Sequence, residues 1–200
     1  MEPWKQRRPN NLQELFDFYQ KYVKLLYSEI QAENFLPADT LFEVNAAFDH
    51  ISTHWTYGIQ EEKAVAEAFS HLKRSCLDVL KYKYVKAKKQ YDELCKIDIG
   101  AIDNGEYTLK LHRTFNEIRK LATEARSIEG KPDGETVPAF GLWEDVYVKC
   151  VNFQNEFYLH PKLNWAKRKS LWNFISQNFW GFVIGIISSL VATFLWFRFF

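Results

Sequence analysis

The last thirty residues constrain this 200-residue chain more than any other part of it. No charged side chain occurs between Ser170 and Phe197, and the stretch from Trp180 onward is almost wholly apolar. A helix with a rise of about 1.5 Å per residue crosses the roughly 30 Å hydrocarbon core of a bilayer in about twenty residues. The alternative is a core helix of a soluble protein, buried because it is apolar on every face. We favour a transmembrane helix over residues 179–200.

Four small residues recur at intervals of four within this predicted helix. They are Gly181, Gly185, Ser189 and Thr193. Such spacing places small side chains on one helix face, where they allow two membrane helices to approach closely. The pattern predicts a homo-oligomer that packs through this face, and the alternative is a stripe that only contacts lipid.

Basic residues flank the predicted span unequally. Lys167, Arg168 and Lys169 precede the uncharged stretch, and Arg198 alone follows it. The positive-inside rule then predicts a single-pass protein whose N-terminal part is cytoplasmic, in the inner membrane if the cell is bacterial. The same three cations, in a basic juxtamembrane segment over 162–178, are expected to attract the headgroups of anionic membrane lipid.

The preceding region, residues 1–161, has the pattern of a helical protein. Apolar residues recur at spacings of three and four, no long stretch alternates with period two, and turns are predicted at Gly58, 98–105 and 130–134. Asn10 or Asn11 is expected to cap the first helix. We therefore predict an all-α fold: a cytosolic bundle of four or five helices plus one C-terminal transmembrane helix.

Two helix boundaries in this region are predicted from prolines. Pro37 and Asp39 are expected to begin the second helix, and Pro161 is expected to stop the fifth. The second helix carries apolar residues along one side, namely Leu41, Val44, Phe48, Ile51 and Trp55.

Composition and motifs exclude several kinds of chemistry. The net charge of +1 argues against a general nucleic-acid binder, and three widely spaced cysteines argue against a disulfide framework or a zinc ribbon. His50 and His54 could bind a metal from one helix face, but a closed site needs more ligands than lie nearby. No common catalytic motif occurs. We expect no metal, no cofactor and no catalytic residue.

The third predicted helix is rich in cations. They are His71, Lys73, Arg74, Lys81, Lys83, Lys86, Lys88 and Lys89. A solvated helix face is the favoured interpretation, and binding of a polyanion such as RNA, a nucleotide or lipid headgroups is the alternative.

Two stretches resemble the helices of HEPN-type bundles. The stretch 45–51, Asn-Ala-Ala-Phe-Asp-His-Ile, is similar to a HEPN helix that ends in an Asp-His pair. The stretch 71–78 is similar to the pattern His-Leu-x-Arg-Ala-x-x-Asp, with Ser75 in place of the alanine. The resemblance implies a helical bundle from a group that includes RNases, nucleotide binders and inactive scaffolds, some of them attached to membranes in prokaryotic antiviral defence.

The catalytic HEPN pattern, an Arg separated by four to six residues from a His, is absent. An RNase of the usual HEPN type is therefore disfavoured. Polar residues on the two similar helices remain candidates for a buried polar network or, alternatively, for a ligand pocket. These candidates are Asn45, Asp49, His50, His71, Arg74 and Asp78.

Three functions follow as hypotheses. The first is a non-enzymatic membrane effector whose copies associate through the anchor and perturb the membrane, as in antiviral defence. The second is a tail-anchored adaptor that holds a soluble protein partner at the membrane. The third is a divergent HEPN-type RNase or nucleotide-binding module.

Overall fold

A computed structural model describes residues 8–35, 38–97, 99–100, 102–129 and 136–199 of the chain. Seven α-helices and no strand occur among these residues, which confirms the all-α prediction. The helices are α1 (Leu12–Phe18), α2 (Lys24–Ala32), α3 (Ala38–Tyr57), α4 (Glu61–Leu94), α5 (Glu106–Glu129), α6 (Thr136–Phe153) and α7 (Pro161–Phe199). The predicted turn at 130–134 and the predicted role of Pro37 lie outside the described residues.

The first helix begins at the predicted cap. The Asn11 side chain accepts a hydrogen bond of 2.9 Å from the backbone N–H of Glu14, a group that has no partner within the helix. A π-helical turn over Tyr19–Val23 joins α1 to α2. This turn accommodates an extra residue, so the buried positions pass from Phe18 to Val23 with a spacing of five rather than four.

Helix α3, predicted as the second helix, ends as predicted but buries only part of the face that its apolar pattern marks. Gly58 follows the last residue of α3 with φ of +67°, a conformation that glycine adopts without strain. The buried residues of α3 are Thr40, Ala47 and Ile51. The apolar side chains of Leu41, Phe48 and Trp55 are exposed instead.

The chain divides into two compact units, and the first consists of Met1–Lys88 and Asn116–Asn152. Apolar side chains from α1, α2, α4, α5 and α6 form most of its core. Fully or almost fully buried side chains include Leu15, Phe18, Ile30, Val65, Leu72, Leu80, Ile118, Trp143 and Val146. Tyr22 adds a polar link from the π-turn to α6, because its hydroxyl donates to the Glu144 carboxylate at 2.6 Å.

The second unit consists of Lys89–Phe115 and Phe153–Phe200. Its core is aromatic: the Tyr91 and Phe115 rings stack at 4.0 Å, and the Phe153 and Phe157 rings lie 5.2 Å apart. Tyr107 is buried, and its hydroxyl donates to the carbonyl of Phe157 at 2.7 Å. That bond satisfies a carbonyl of the π-helical turn Gln154–Tyr158, which follows α6.

The last helix begins at Pro161, which ends one helical segment and starts the next. Proline suits the first helical position, since the N–H that it lacks would have no partner there. Leu163 and Ala166 are buried, and beyond them α7 continues without a break to Phe199. The helix therefore passes through the predicted boundary at residue 178, and the division into 1–161, 162–178 and 179–200 stays a prediction.

Candidate functional site

A histidine pair connects α3 with α4 inside the first unit. The rings of His50 and His71 stack with centroids 5.0 Å apart and planes inclined by 23°. Their side chains are partly exposed, at 31% and 23%. Two of the six polar residues predicted from the sequence are thus brought into contact, one from each HEPN-like stretch.

Each ring of the pair contacts a carboxylate on the other helix. Nδ1 of His71, on α4, lies 2.6 Å from Oε2 of Glu43 on α3, and Nδ1 of His50, on α3, lies 3.0 Å from Oε2 of Glu67 on α4. Each contact gives an imidazole nitrogen an anionic hydrogen-bond acceptor on the neighbouring helix. The two rings and two carboxylates therefore form a polar link between α3 and α4.

The other four predicted residues do not join this contact. Asn45, Asp49 and Arg74 are exposed, and Asp78 is half-buried. Burial raises the pKa of the Asp78 carboxyl above its ordinary value, and Lys81 opposes that rise. The residues that the sequence reasoning missed are Glu43 and Glu67, whose one available signal was their position seven and four residues before a histidine on the same helix.

No group of three or more metal-ligating side chains in the described residues has an arrangement that could hold a metal ion. The second histidine of the predicted pair, His54, points elsewhere. Its Nδ1 lies 2.6 Å from the carbonyl of Ile59, just beyond the end of α3. His54 therefore stabilises the chain reversal at Gly58.

A second polar cluster surrounds Lys83, which is 4% exposed. Its ammonium contacts Oε1 of Glu29 at 2.6 Å and Oε1 of Glu33 at 2.7 Å, and Tyr147 on α6 donates to the other oxygen of Glu29. Lys86 lies 2.8 Å from Oε2 of Glu33. The cluster ties α4 and α6 to α2 and its C-terminal turn.

Charges within this cluster stabilise one another. Burial lowers the pKa of Lys83, but its hydrogen bonds to Glu29 and Glu33 outweigh that effect and leave the pKa raised. Burial likewise raises the pKa of Glu33, and the hydrogen bonds from Lys83 and Lys86 leave it lowered. Lys83 and Glu33 are therefore held in their charged forms at neutral pH.

The basic run on α4 is consequently not one continuous cationic surface. Lys83 and Lys86 pair with Glu33, Lys81 pairs with Glu129 at 2.5 Å, and the Lys73 ammonium lies 5.3 Å from the centre of the Phe140 ring. Arg74, Lys88 and Lys89 are exposed. Together with His71, which contacts Glu43, five of the eight residues in the run predicted as a solvated face thus have a partner within the fold.

The C-terminal helix contains one stretch, Asn178–Trp196, that is long and apolar enough to cross a membrane. Its mean hydropathy is 1.9, and none of it is buried within the chain. The stretch is therefore not a core helix of the described fold, which was the alternative interpretation of this segment.

Small residues on α7 are open to the surroundings. A Cβ added to Gly181 or Gly185 would meet no atom within 4 Å, and Ser189 and Thr193 are exposed. The Thr193 hydroxyl donates to the carbonyl of Ser189 at 2.9 Å, so the polar group is satisfied within its own helix.

The juxtamembrane cations are exposed on the first turns of α7. The ammonium of Lys167 lies 5.6 Å from the ring centre of Tyr158, and that of Lys169 lies 5.1 Å from the ring centre of Trp165. Arg168 is exposed between them. Cation–π contacts at exposed positions such as these contribute about 0.5–1 kcal/mol each.

Comparisons of the chain with protein-family models, with curated proteins and with solved structures gave no match. The resemblance to HEPN-type bundles stays a prediction that depends on the two stretches at 45–51 and 71–78.

Proposed function

We propose that the protein is a membrane-anchored, non-enzymatic effector whose copies associate through α7. The observation that carries this proposal is that no residue of the apolar stretch Asn178–Trp196 is buried within the described fold. An apolar helix surface of that size in water would be strongly unfavourable, because about 25 cal/mol is lost for every Å² left in contact with water. A bilayer removes this cost.

The length of the uncharged segment supports a transmembrane position. Residues 170–197 form one helix without a charge, and at about 1.5 Å per residue it measures about 42 Å, which equals the thickness of a bilayer with its headgroup regions. Trp172, Trp180 and Trp196 are exposed along it and would lie near the two interfaces. The cations at 167–169 then favour a cytoplasmic N-terminal part and contact with lipid headgroups.

The stripe of small residues supports association of copies. Gly181 and Gly185 leave the helix backbone accessible to a neighbouring helix, and no atom of the described part of the chain lies within 4 Å of a Cβ added at either position. Close backbone approach gains dispersion energy that lipid tails supply less well. The proposed oligomer therefore forms through the face that contains Gly181, Gly185, Ser189 and Thr193.

A role in prokaryotic antiviral defence is the most specific part of the proposal, and the HEPN-like stretches support it. In that role, association of anchors would disturb the membrane after the cytosolic bundle receives a signal. The adaptor hypothesis needs only the anchor, and the RNase or nucleotide-binding hypothesis needs a ligand at the histidine pair.

The oligomeric state of the full-length protein tests the proposed association. We expect the double variant Gly181→Leu, Gly185→Leu to lose the oligomer in detergent, measured by light scattering. The matched control is Val183→Phe, Ile187→Phe, which adds bulk at the same spacing on the opposite face of α7, since these residues are turned by about 200° and about 240° from Gly181. Loss of the oligomer in both variants, or in neither, would contradict the role of the stripe.

Replacement of the anchor separates the effector from the adaptor. We expect an unrelated apolar helix in place of residues 179–200 to leave the protein in the membrane but to abolish its effect on membrane potential and cell growth. An adaptor would keep its function after this replacement. Alanine at His50 and His71 would abolish activity only if the enzymatic or ligand-binding hypothesis holds.

A further inference from the structure

Lys73 differs from the other partly or fully buried lysines of α4 in the partner of its ammonium group. Lys81, Lys83 and Lys86 each contact a glutamate at distances of 2.5–2.8 Å. No carboxylate among the described residues forms an ion pair with Lys73, and its ammonium lies instead over the Phe140 ring, 5.3 Å from the ring centre. Lysines that leave water usually do so beside an anion, so this position is unusual within the helix.

The helix on either side of Lys73 supplies no anion. Residues three and four positions away on a helix are the ones that lie beside a given side chain. At Lys73 these neighbours are Phe69, Ser70, Cys76 and Leu77. None of them is an acid, and Cys76 is buried. The adjacent charged residue on α4, Arg74, is a second cation and gives no compensation.

Helix α6, which contributes Phe140, has a carboxylate one turn beyond that ring, at Glu144. This carboxylate accepts a hydrogen bond of 2.6 Å from the hydroxyl of Tyr22, and the Tyr22 and Phe140 rings lie 5.9 Å apart. Phe140 itself is buried. The surface that α6 presents to the Lys73 ammonium is therefore aromatic rather than anionic.

These surroundings favour the neutral amine of Lys73 over the ammonium. Burial lowers the pKa of Lys73 below its ordinary value. Burial acts in the same direction on Lys83, but hydrogen bonds to Glu29 and Glu33 leave the pKa of Lys83 raised. A neutral amine has the free electron pair that makes lysine a nucleophile, and desolvated lysines react in this way in many proteins.

Lys73 is also open enough to react. Its side chain is only partly covered, whereas Lys83 is 4% exposed and is enclosed by its glutamates. Fully exposed lysines are easily reached, but water and salt keep them protonated at neutral pH. Lys73 combines access with surroundings that disfavour its charge.

We propose that Lys73 is a site of covalent acylation by small activated acyl donors, which are acyl phosphates or acyl thioesters. The amine nitrogen attacks the carbonyl carbon of the donor and forms a C–N bond, while the C–O bond to phosphate or the C–S bond to the thiol breaks. The leaving group takes the electron pair of the broken bond, and the amine proton passes through water to it. The product is a neutral amide, which brings no charge into the apolar surroundings. The reaction does not depend on association through α7.

Competition among the lysines of the full-length protein in detergent tests this proposal. One arm uses acetyl phosphate and the other uses acetyl-coenzyme A, each near neutral pH and stopped at low conversion. The protein is then denatured, and the remaining amines are acetylated with deuterated acetic anhydride. Mass spectrometry of peptides gives the fraction modified at each lysine as a ratio of light to heavy acetyl groups.

We expect Lys73 to be acylated several-fold faster than two reference lysines. Lys24 is exposed, contacts the amide oxygen of Gln20 at 3.3 Å and controls for access. Lys86 is partly buried, pairs with Glu33 at 2.8 Å and controls for burial beside an anion. A preference for Lys73 in either arm supports the proposal and identifies the donor. A rate at Lys73 no higher than that at Lys24 in both arms would overturn it.

The same competition in guanidinium chloride separates the effect of the fold from that of the local sequence. We expect the three lysines to react at similar rates once the chain is unfolded, because Lys73 then loses its contact with Phe140. A preference for Lys73 that persisted in the unfolded chain would contradict an origin in the packing of α4 against α6.

A variant that supplies the missing anion gives a second test. Ser70 is exposed one turn before Lys73, so Ser70→Glu places a carboxylate beside the ammonium without a change in the core. We expect acylation of Lys73 to slow several-fold in Ser70→Glu and to stay unchanged in Ser70→Gln, which has the same size but no charge. Equal rates at Lys73 in these two variants would show that the absent carboxylate is not the cause of its reactivity.

Discussion

Helices α6 and α7 are both rich in apolar and aromatic residues, but these side chains lie in opposite environments in the two helices. In α6, Trp143 is 0% exposed, whereas Trp180 in α7 is 60% exposed. Charged residues interrupt α6 at Glu144, Asp145 and Lys149, but the apolar stretch of α7 has no charge on any face. A helix with one apolar face is satisfied by a protein core. A helix that is apolar on every face cannot bury all of that surface against one protein core. The remaining surface is stable only in another apolar environment, such as a bilayer.

The largest difference between these helices should come from truncating their tryptophans. We expect Trp143→Ala to lower the free energy of unfolding by about 3–5 kcal/mol, because it opens a cavity in a fully packed site. The measurement is chemical unfolding in mild detergent followed by circular dichroism.

The matched control is Trp180→Ala, which removes the same side chain from an exposed site. We expect a change in the free energy of unfolding within about 0.5 kcal/mol, as for other surface substitutions. Similar losses of unfolding free energy for the two variants would mean that Trp180 packs against protein, and would contradict the contrast between buried α6 and exposed α7.

Two lysine variants should give the next largest difference in unfolding free energy between a buried and an exposed site. Lys83→Met should lower the free energy of unfolding by about 2–3 kcal/mol, because Glu29 and Glu33 lose the cation that they share. Lys169→Met, on the exposed start of α7, should hardly change unfolding. It should instead weaken binding to anionic vesicles by about 1 kcal/mol, measured by co-sedimentation.

Acidic pH should reduce the loss of unfolding free energy that Lys83→Met causes. Since hydrogen bonds from Lys83 and Lys86 leave the pKa of Glu33 below its unfolded value, ionised Glu33 stabilises the fold at neutral pH. That contribution is lost as the pH falls through the folded pKa. The difference in unfolding free energy between wild type and Lys83→Met should therefore narrow below pH of about 4.5, and a difference that widened there would contradict the assignment.

The smallest effect should come from the histidine pair, which is neither fully buried nor fully exposed. We expect a double-mutant cycle between His71→Gln and Glu43→Gln to give a coupling of about 0.5–1 kcal/mol, as for other partly exposed pairs. A coupling below about 0.2 kcal/mol would show that this contact adds nothing to stability.

Local chemistry made much of the fold predictable. The cap at Asn11, the end of α3 at Gly58 and the buried faces of α4, α5 and α6 follow from residues adjacent in sequence or one turn apart. The π-turn at Tyr19–Val23 was not predicted, because inserting a residue into a helix depends on what the next turn must pack against.

The histidine pair was predictable only in part. His50 and His71 were candidates from their own stretches, but their contact requires α3 and α4 to lie side by side. Glu43 and Glu67 gave almost no signal, because exposed glutamates are common on helices. Each of these glutamates matters because its carboxylate contacts the histidine of the other helix.

The sequence by itself determined that the chain is helical and that one helix is long and apolar enough to span a membrane, since both properties depend on periodicity and composition along a single segment. Only the tertiary structure decided which apolar faces are buried. Leu41, Phe48 and Trp55 have a pattern as apolar as that of Trp143, Val146 and Cys150, yet the first set is exposed and the second is buried. A helix pattern fixes which side chains share a face, but burial depends on which surfaces the neighbouring helices have left free.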